Sequence, residues 1–342
     1  MRSFVLFLMA CSLFSCTDKP VRKPFTAVEI ETIYSDSVSI RAIEFLDGNT
    51  LAFAGNKGIY GTIDLPSGKV RTNTMKYHTV IPEFRAVTHT PTDFFMLSVA
   101  NPALLYKTGD RGRMDLVYME EDEAVFYDAM RFWNDTEGIA IGDNVKGCLS
   151  ILITRDGGNT WNKSLCSDIP EFIEGEGAFA ASNTNIEVYG DHTWIATTKR
   201  ILYSSDKGKT WESFTTPVKT EEATEGIYSI DFYDTDLGVA IGGDYTRPDG
   251  NEANKAITKD GGKTWQLLAN GMGPGYKSCV QFVPNSNGTG IVATGFTGIS
   301  YSQDMGRTWN QLSDEGFYTL LFLNGNIAYA AGKNRISRLV FK

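Results

Sequence analysis

The sequence predicts an all-β protein built from repeated four-stranded antiparallel units. Short runs that alternate apolar and polar residues, such as "SIRAIEFLDGNTLAFAG", recur between turn residues, which is typical of half-buried strands. Residues 27–342 show no sustained 3.6-residue periodicity, so long helices are not expected. One motif of the form S/T-x-D-x-G-x-T-W also occurs four times, as "TRDGGNTW", "SSDKGKTW", "TKDGGKTW" and "SQDMGRTW".

The spacing of this motif gives the length of the repeat. Its aspartates stand at positions 156, 206, 260 and 304, in steps of 50, 54 and 44 residues. Two weaker copies, "TGDRGRM" and "TIDLPSG", place Asp110 and Asp64 at further steps of 46 residues. Repeats of this length are typical of four-stranded propeller blades. The sequence therefore predicts a seven-bladed β-propeller over residues 27–342, with units beginning near Ser39, Glu83, Phe126, Ala178, Gly226, Tyr276 and Gly316.

The last unit explains how the ring closes. After "FYTLLFLNGNIAYAAG" it has only one further strand, "RISRLVFK", while the segment "FTAVEIETIY" near the other end has no partner of its own. We expect this N-terminal strand to complete the last blade. Such closure hides the sheet edges that an open array would expose.

We interpret the repeated motif as a structural element that stabilises a turn between two strands. In the second copy, Asp206 is placed to accept hydrogen bonds from the backbone N–H groups of its own turn. Gly208 permits a positive φ, and Trp211 is expected to pack into the groove beside the next blade. Catalysis or calcium binding by these aspartates is the less favoured alternative. The structural set comprises Asp156, Trp161, Asp206, Trp211, Asp260, Trp265, Asp304 and Trp309.

The first residues predict export and a lipid anchor. Residues 1–15 have one positive charge followed by an apolar run of the length of a signal peptide, and "LFSC" resembles a bacterial lipobox that ends at Cys16. We expect cleavage before Cys16, lipidation of its sulfur, a tether over residues 16–26 and a location on a bacterial membrane, at its periplasmic face or the cell surface. An ordinary signal peptide with a chance cysteine is the alternative.

Composition narrows the possible partners. The formal charge of −9 becomes −9 − 1 = −10 when the signal peptide and its arginine are removed, so nucleic acid is not an expected partner.

Two cysteines are spaced as a disulfide would require. Cys148 and Cys166 are each nine residues from Gly157, which lies at the centre of a turn, and the expected compartment is oxidising. In a regular hairpin they would face each other as a disulfide, which leaves Cys279 as a buried free thiol.

The motif resembles the Asp-box repeat of sialidases, some glucanases and the photosystem II stability/assembly factor family. The closer resemblance is to the last group and to related lipoproteins of non-photosynthetic bacteria. It is carried by the seven units, the phrases "SIRAIEF" and "EFRAV", and "GGNTW" and "GGKTW". The resemblance implies a propeller that helps a membrane or envelope protein to mature. It specifies the fold more strongly than the function.

The candidate site lies where the innermost strands would line a central funnel. Alignment of Ala42 with Ala129 places polar residues at the preceding position of several units and at the ends of second strands. In one interpretation two arginines bind a carboxylate or a peptide terminus and the acids balance their charge. In the other, the arginines and acids only pair with one another. The funnel set is Arg41, Arg85, Asp128, Asp143, Tyr228, Asp244 and Tyr318.

An enzyme is the less favoured class. A glycoside hydrolase needs two carboxylates about 5–9 Å apart, for which Asp128, Asp143 and Asp244 are weak candidates. The Arg-Ile-Pro signature of sialidases is absent, three histidines make a metal site unexpected, and no G-x-G-x-x-G opens a βαβ unit, so no cofactor is expected. We therefore expect a monomeric binding or assembly module with a protein or peptide partner in the envelope. A sialidase-like or carbohydrate-binding propeller is the alternative.

Two loops are further candidates for contact with a partner. The segment "DYTRPDGNEANK" (244–255) is longer than its counterparts and is the best candidate for a specificity loop. Four consecutive acids at Glu120–Glu123 predict a solvated loop, with docking of a basic partner as the alternative.

Overall fold

A computed structural model describes residues 23–109 and 112–342, and within them the protein is almost entirely β-structure. Helical structure in these residues is limited to short 3-10 segments such as the turn at Cys166–Asp168. The predicted signal peptide, Cys16 and Asp110 lie outside the described residues. None of the helices in the described residues is long and apolar enough to cross a membrane.

The described strands form six antiparallel sheets, of which five have four strands each and the sixth has seven. In chain order, the first four-stranded sheet contains β5 (Phe84–His89), β6 (Phe94–Ser98), β7 (Ala103–Thr108) and β8 (Met114–Glu120), and the second contains β9 (Tyr127–Phe132), β10 (Gly138–Val145), β11 (Cys148–Thr154) and β12 (Asn162–Lys163). The third contains β13 (Ile186–Tyr189), β14 (His192–Ala196), β15 (Arg200–Ser204) and β16 (Glu212–Thr215), and the fourth contains β17 (Glu225–Phe232), β18 (Gly238–Asp244), β19 (Lys255–Thr258) and β20 (Gln266–Leu267). The fifth contains β21 (Cys279–Phe282), β22 (Ile291–Gly295), β23 (Gly298–Ser302) and β24 (Asn310–Ser313).

 The sixth consists of β1 (Val28–Asp47), β2 (Thr50–Gly55), β3 (Ile59–Asp64) and β4 (Lys69–Thr74), and it continues through β1 into three more strands.

Strand β1 is long enough to belong to two sheets. Its second half, from Ile40 to Asp47, pairs with β2. Its first half pairs antiparallel with β27 (Lys333–Phe341), where Val28 lies opposite Phe341. Because β27 also pairs with β26 (Ile327–Ala331), which pairs with β25 (Thr319–Phe322), the result is one seven-stranded sheet.

The sheets stand around a centre formed by their first strands. Each of these strands contacts its neighbours, so that together they make a closed ring of β1, β5, β9, β13, β17, β21 and β25. The hydrophobic core lies between adjacent sheets. In one such layer, Phe95 and Leu97 of β6 pack with Tyr127 of β9 and Leu152 of β11. The alternation of apolar residues along the strands is what fills these layers.

The repeated turns are held by their aspartates. The carboxylate of Asp206 accepts hydrogen bonds from the N–H groups of Lys209 and Thr210, at 3.0 and 2.9 Å, and from the Thr210 hydroxyl at 2.7 Å. Gly208 has a φ of 75°. The hydroxyl–carboxylate bond recurs at Asp156, Asp260 and Asp304.

One packing prediction for these turns is wrong. Trp211 does not pack beside the next sheet of the chain but beside the preceding one, where it contacts the cluster that contains Trp133 and Ile153. Trp265 likewise packs with Trp194 and Tyr203 of the preceding sheet. The turn carries the tryptophan back toward the sheet that came before, so the indole closes the gap between two sheets.

Cys148 and Cys166 form a disulfide with a Cα–Cα distance of 5.6 Å. The hairpin is not the symmetric one expected, because Leu152 pairs with Lys163, so paired residue numbers add to 315 instead of 314. Cys166 lies beyond the end of β12, in the 3-10 turn. Cys279 is a buried free thiol.

Candidate functional site

A segment of the chain closes the central channel. Residues 178–184, which we call the plug, precede β13 and are buried apart from Phe179. The plug bonds to first strands all around the ring, or to residues beside them. These bonds join Arg41 to Ala181, Val87 and Met130 to Asn183, Ser229 to Thr184, and Ser278 and Thr319 to Ser182.

The physical reason for the plug lies in the edge of each innermost strand. Backbone groups that face the channel have no neighbouring strand, and they need other partners when they are buried. Asn183 supplies two of them, since it accepts from the Met130 N–H at 3.0 Å and donates to the Val87 carbonyl at 2.8 Å. Elsewhere side chains of a neighbouring strand serve the same purpose, as where the Val280 N–H donates to Ser229 Oγ at 2.9 Å. The channel is therefore sealed, contrary to the open solvated funnel expected from the sequence.

On one side of the plug lies a pocket of about 360 Å³, which we call the aromatic pocket. Ala180 and Ala181 of the plug contribute to its lining. It contains four of the seven funnel residues expected from the sequence. The complete lining is Arg41, Arg85, Phe179, Ala180, Ala181, Tyr228, Tyr245, Tyr276, Phe296 and Tyr318.

A continuous row of rings forms one wall of the aromatic pocket. Phe179 stacks on Tyr228 with a centroid distance of 3.7 Å, and Tyr228 meets Tyr276 edge to face at 4.9 Å. Tyr276 in turn lies 5.2 Å from Phe296. Tyr228 and Tyr276 are buried, whereas Tyr245 and Phe296 are about half exposed, at 49% and 45%. Exposed rings beside a pocket are typical of binding surfaces.

Arg41 is one of the two cations that line this pocket. Its guanidinium lies 4.1 Å above the ring of Tyr318 and donates to the Ala181 carbonyl at 3.3 Å. Burial and the nearby positive charge of Arg85 lower the pKa of Arg41. Within residues 23–109 and 112–342, no carboxylate forms an ion pair with Arg41, and its buried Nε has no hydrogen-bond partner. An anion in the pocket would supply the charge that Arg41 lacks.

Arg85 has a local partner. Its Nε donates to Glu83 at 2.7 Å, and its guanidinium lies 5.7 Å from the ring of Phe126. This pairing matches neither interpretation of the sequence fully. Arg85 does pair with an acid, but that acid is Glu83, which was not among the predicted funnel residues.

Asp128 and Asp143 lie beneath the pocket lining instead of in it. Asp128 is fully buried, and neither of its oxygens makes a hydrogen bond of ordinary geometry to a described residue. Burial and the charge of Asp143 raise the pKa of Asp128 well above its usual value, although Arg85 opposes this. Asp143 accepts a 2.7 Å hydrogen bond from the N–H of Ala178 in the plug, and burial raises its pKa as well. Asp143 thus positions the plug.

Asp244 belongs to a second, polar pocket of about 250 Å³ beside the long loop. Its carboxylate accepts bonds from the Thr246 hydroxyl at 2.7 Å and from Arg247 Nε at 2.8 Å. Arg247 also reaches Glu225 at 2.7 Å. Burial raises the pKa of Asp244, but these hydrogen bonds outweigh it and lower the pKa. The loop is thereby held by its own ion pairs.

Sequence reasoning missed most of the aromatic wall. Phe179, Tyr245, Tyr276 and Phe296 lie outside the strand positions that the alignment compared. A cluster of aromatic residues in loops was the available signal. The described residues contain no group of three or more His, Cys, Asp or Glu side chains that could hold a metal ion.

Comparisons with known proteins agree with this architecture. The family model for sortilin, neurotensin receptor 3 (Sortilin-Vps10), matches residues 149–279. A structure of YCF48 bound to D1 peptide is 14% identical and has a TM-score of 0.66, covering 94% of this chain and 98% of that one. YCF48 from Cyanidioschyzon merolae is 14% identical, with a TM-score of 0.63 and coverages of 92% and 98%. The WD40 repeats of RRP9 are 11% identical, with a TM-score of 0.65 and coverages of 92% and 97%.

The fold of this chain is a β-propeller. The structural likeness at these identities concerns the fold alone. No curated protein sequence matches the chain significantly.

Proposed function

We propose that the protein is a binding or assembly module that holds the end of a protein or peptide segment in the aromatic pocket. The observation that carries this proposal is Arg41, a half-buried cation with no ion-pair partner among the described residues, which lines the same pocket as a wall of aromatic rings. A chain end combines a carboxylate for Arg41 with side chains for the rings. The peptide-bound YCF48 structure supports a propeller in such a role.

The plug favours a chain end over a threaded segment. Because residues 178–184 block the channel, a ligand cannot pass through the centre of the ring. It must enter and leave by the same mouth. A terminus fits this geometry, whereas a continuous chain would have to bend back over the exposed rings of Tyr245 and Phe296.

The test compares peptides that differ only at the carboxyl end. A library of displayed C-terminal sequences should yield binders, and amidation of a selected peptide should weaken its binding. An interaction with a charged group contributes about 1.5–3 kcal/mol, so Arg41→Gln should weaken binding of the free carboxylate by about 10- to 100-fold. Arg307→Gln, a change at an exposed arginine of a repeated turn, is the matched control. Equal binding of free and amidated peptides would refute the proposal.

We further propose that the ring consists of seven blades of the Asp-box type. The seven-stranded sheet then counts as two blades that share β1, and the first strands form the hub. The hydrogen-bonded turns at Asp156, Asp206, Asp260 and Asp304 support the Asp-box assignment.

The envelope location is also a proposal. It rests on the signal-like residues 1–15 and on Cys16, with residues 16–26 as the tether of a monomer. Membrane fractionation of the wild type and of Cys16→Ala tests it, since only the wild type should remain with the membrane. The disulfide between Cys148 and Cys166 supports an oxidising compartment.

We propose that the protein is not a glycoside hydrolase. Asp128, the best candidate for a raised-pKa acid, has no exposed surface, and Asp143 is bonded to the plug. A panel of glycosides and sialosides tests this. Turnover that is lost in a folded Asp128→Asn or Asp143→Asn variant would favour the hydrolase instead.

A further inference from the structure

The two weaker copies of the repeated motif lack its tryptophan, and one of them lies between the sheets of β1–β4 and β5–β8. In the copy that begins at Thr108, the strand register places Met114 opposite Thr108. In the complete copies the same register places the tryptophan opposite the first residue of the motif, since Glu212 pairs with Tyr203 and Trp211 and Ser204 come next. Met114 therefore takes the position of Trp211. Met114 is half-buried and packs, with Leu46 and Tyr60, against the cluster that contains Phe94. Its side chain is smaller than an indole. No indole from this turn therefore closes the gap between the sheet of β5–β8 and the preceding sheet of β1–β4.

The complete turns show what normally fills this gap. A Cβ atom placed on Gly208 would lie 3.2 Å from Trp211, 3.3 Å from Ile153 and 3.5 Å from Trp133. The glycines in the other complete copies, Gly158, Gly262 and Gly306, likewise have ring or aliphatic carbons within 3.1 Å of that position. At Gly112, the equivalent glycine of the altered turn, a Cβ would meet none of the described atoms within 4 Å.

The space is present as a pocket. Strand register makes Leu46 the counterpart of Trp133 and Thr62 the counterpart of Ile153. Both line a cavity of about 370 Å³, which we call the junction pocket, together with Gly112. Its other apolar walls are Tyr60, Phe94 and Met114. A volume of this size lies within the range of small-molecule sites, which begins at about 300 Å³.

The rim of the junction pocket carries a positive charge. Arg71 on β4 lies directly opposite Thr62 in the strand register, is exposed, and lines the pocket. Within the described part of the chain, Arg71 has no carboxylate within 4 Å. The pocket thus combines a space that an indole fills at other junctions with a cation at its edge.

We propose that the junction pocket binds a small planar aromatic carboxylate of indole size. The ring occupies the space that a motif tryptophan fills elsewhere in the molecule, between Leu46, Tyr60 and Met114. The carboxylate pairs with Arg71. This site is separate from the aromatic pocket and does not depend on the proposed function.

The experiment uses indole-3-acetate as the probe and indole as its neutral analogue. Titration calorimetry is carried out on the full chain in an Arg41→Gln background, so that the aromatic pocket does not compete for the anion. We expect saturable binding of indole-3-acetate. The added change Arg71→Gln should weaken indole-3-acetate about tenfold and leave indole unchanged. Absence of binding in the Arg41→Gln background, or an equal loss for both probes on Arg71→Gln, would overturn the proposal.

A second variant tests the position of the ring. Met114→Trp restores a tryptophan at the position of Trp211 and should abolish binding of both probes while raising the Tm, because the new indole fills the gap. Leu46→Trp, which fills the pocket from the opposite wall, should also abolish binding should the first variant fail to fold. Unchanged binding by either folded variant would show that the ring lies elsewhere and would refute the site.

Discussion

Asn183 is the residue on which we expect the plug to depend most. Its side chain is 2% exposed, and its amide bonds both to the Met130 N–H at 3.0 Å and to the Val87 carbonyl at 2.8 Å. Its φ of 61° lies in the left-handed region, which asparagine tolerates better than most residues. Asn183→Ala therefore removes two buried partners and adds backbone strain in one change.

The magnitude follows from these contacts. A buried backbone donor or acceptor that loses its partner costs about 1–3 kcal/mol, so the two groups together cost about 2–6 kcal/mol. The left-handed conformation of alanine adds about 1 kcal/mol. The expected loss in the free energy of unfolding is thus about 3–7 kcal/mol, which is a large part of the total stability of a typical domain.

Urea denaturation of the variant and of two controls measures this loss. Asn334→Ala has the same strain, with a φ of 66°, at an exposed position, so it should cost only about 1 kcal/mol. Asn183→Gly relieves the backbone strain but still loses both hydrogen bonds. Its loss in the free energy of unfolding should therefore lie between the losses of the other two variants. A loss for Asn183→Ala no larger than that for Asn334→Ala would refute the idea that Asn183 holds the plug to the inner strands.

Two further predictions concern the turns and the disulfide. Hydrogen bonds from Thr264 lower the pKa of Asp260 in the folded protein, so its stabilisation is present above the unfolded pKa of about 3.9 and is lost as the pH falls through the folded pKa. The urea midpoints of wild type and Asp260→Asn should therefore converge as the pH falls below the unfolded pKa toward the lower folded pKa, and a constant gap would contradict this. Reduction of the Cys148–Cys166 bridge, which spans 18 residues, should cost about 3 kcal/mol in unfolding free energy. A Cys148→Ser/Cys166→Ser double variant should be insensitive to the reductant, and a response equal to that of the wild type would argue against the bridge.

The strands and part of the site were predictable because they follow a local pattern. The position before Ala42 and Ala129 recurs in each unit, and this alone places Arg41, Arg85 and Asp128 at the inner strands. The regular two-residue period of strands makes such a register reliable. It does not show how deeply a side chain is covered, which is why Asp128 was grouped with residues that line the pocket.

The plug could not be predicted in this way because its sequence has no strand periodicity. Residues 178–184 form no regular strand, and their partners are 45 to 140 positions away in the chain. The direction of the motif tryptophan was wrong for a related reason. A turn motif fixes its own hydrogen bonds, but the twist of the sheets decides which neighbour its indole meets.

The double membership of β1 has a consequence for the order of events during synthesis. Val28 leaves the ribosome long before its partner Phe341 exists, so for most of translation the growing molecule is an open arc with an unpaired rim at each end. The ring can close only after strand β27, Lys333–Phe341, has been synthesised and released. A chaperone that covers the unpaired edge of β1, or a change in the time needed to synthesise β27, would therefore alter the yield of the closed ring.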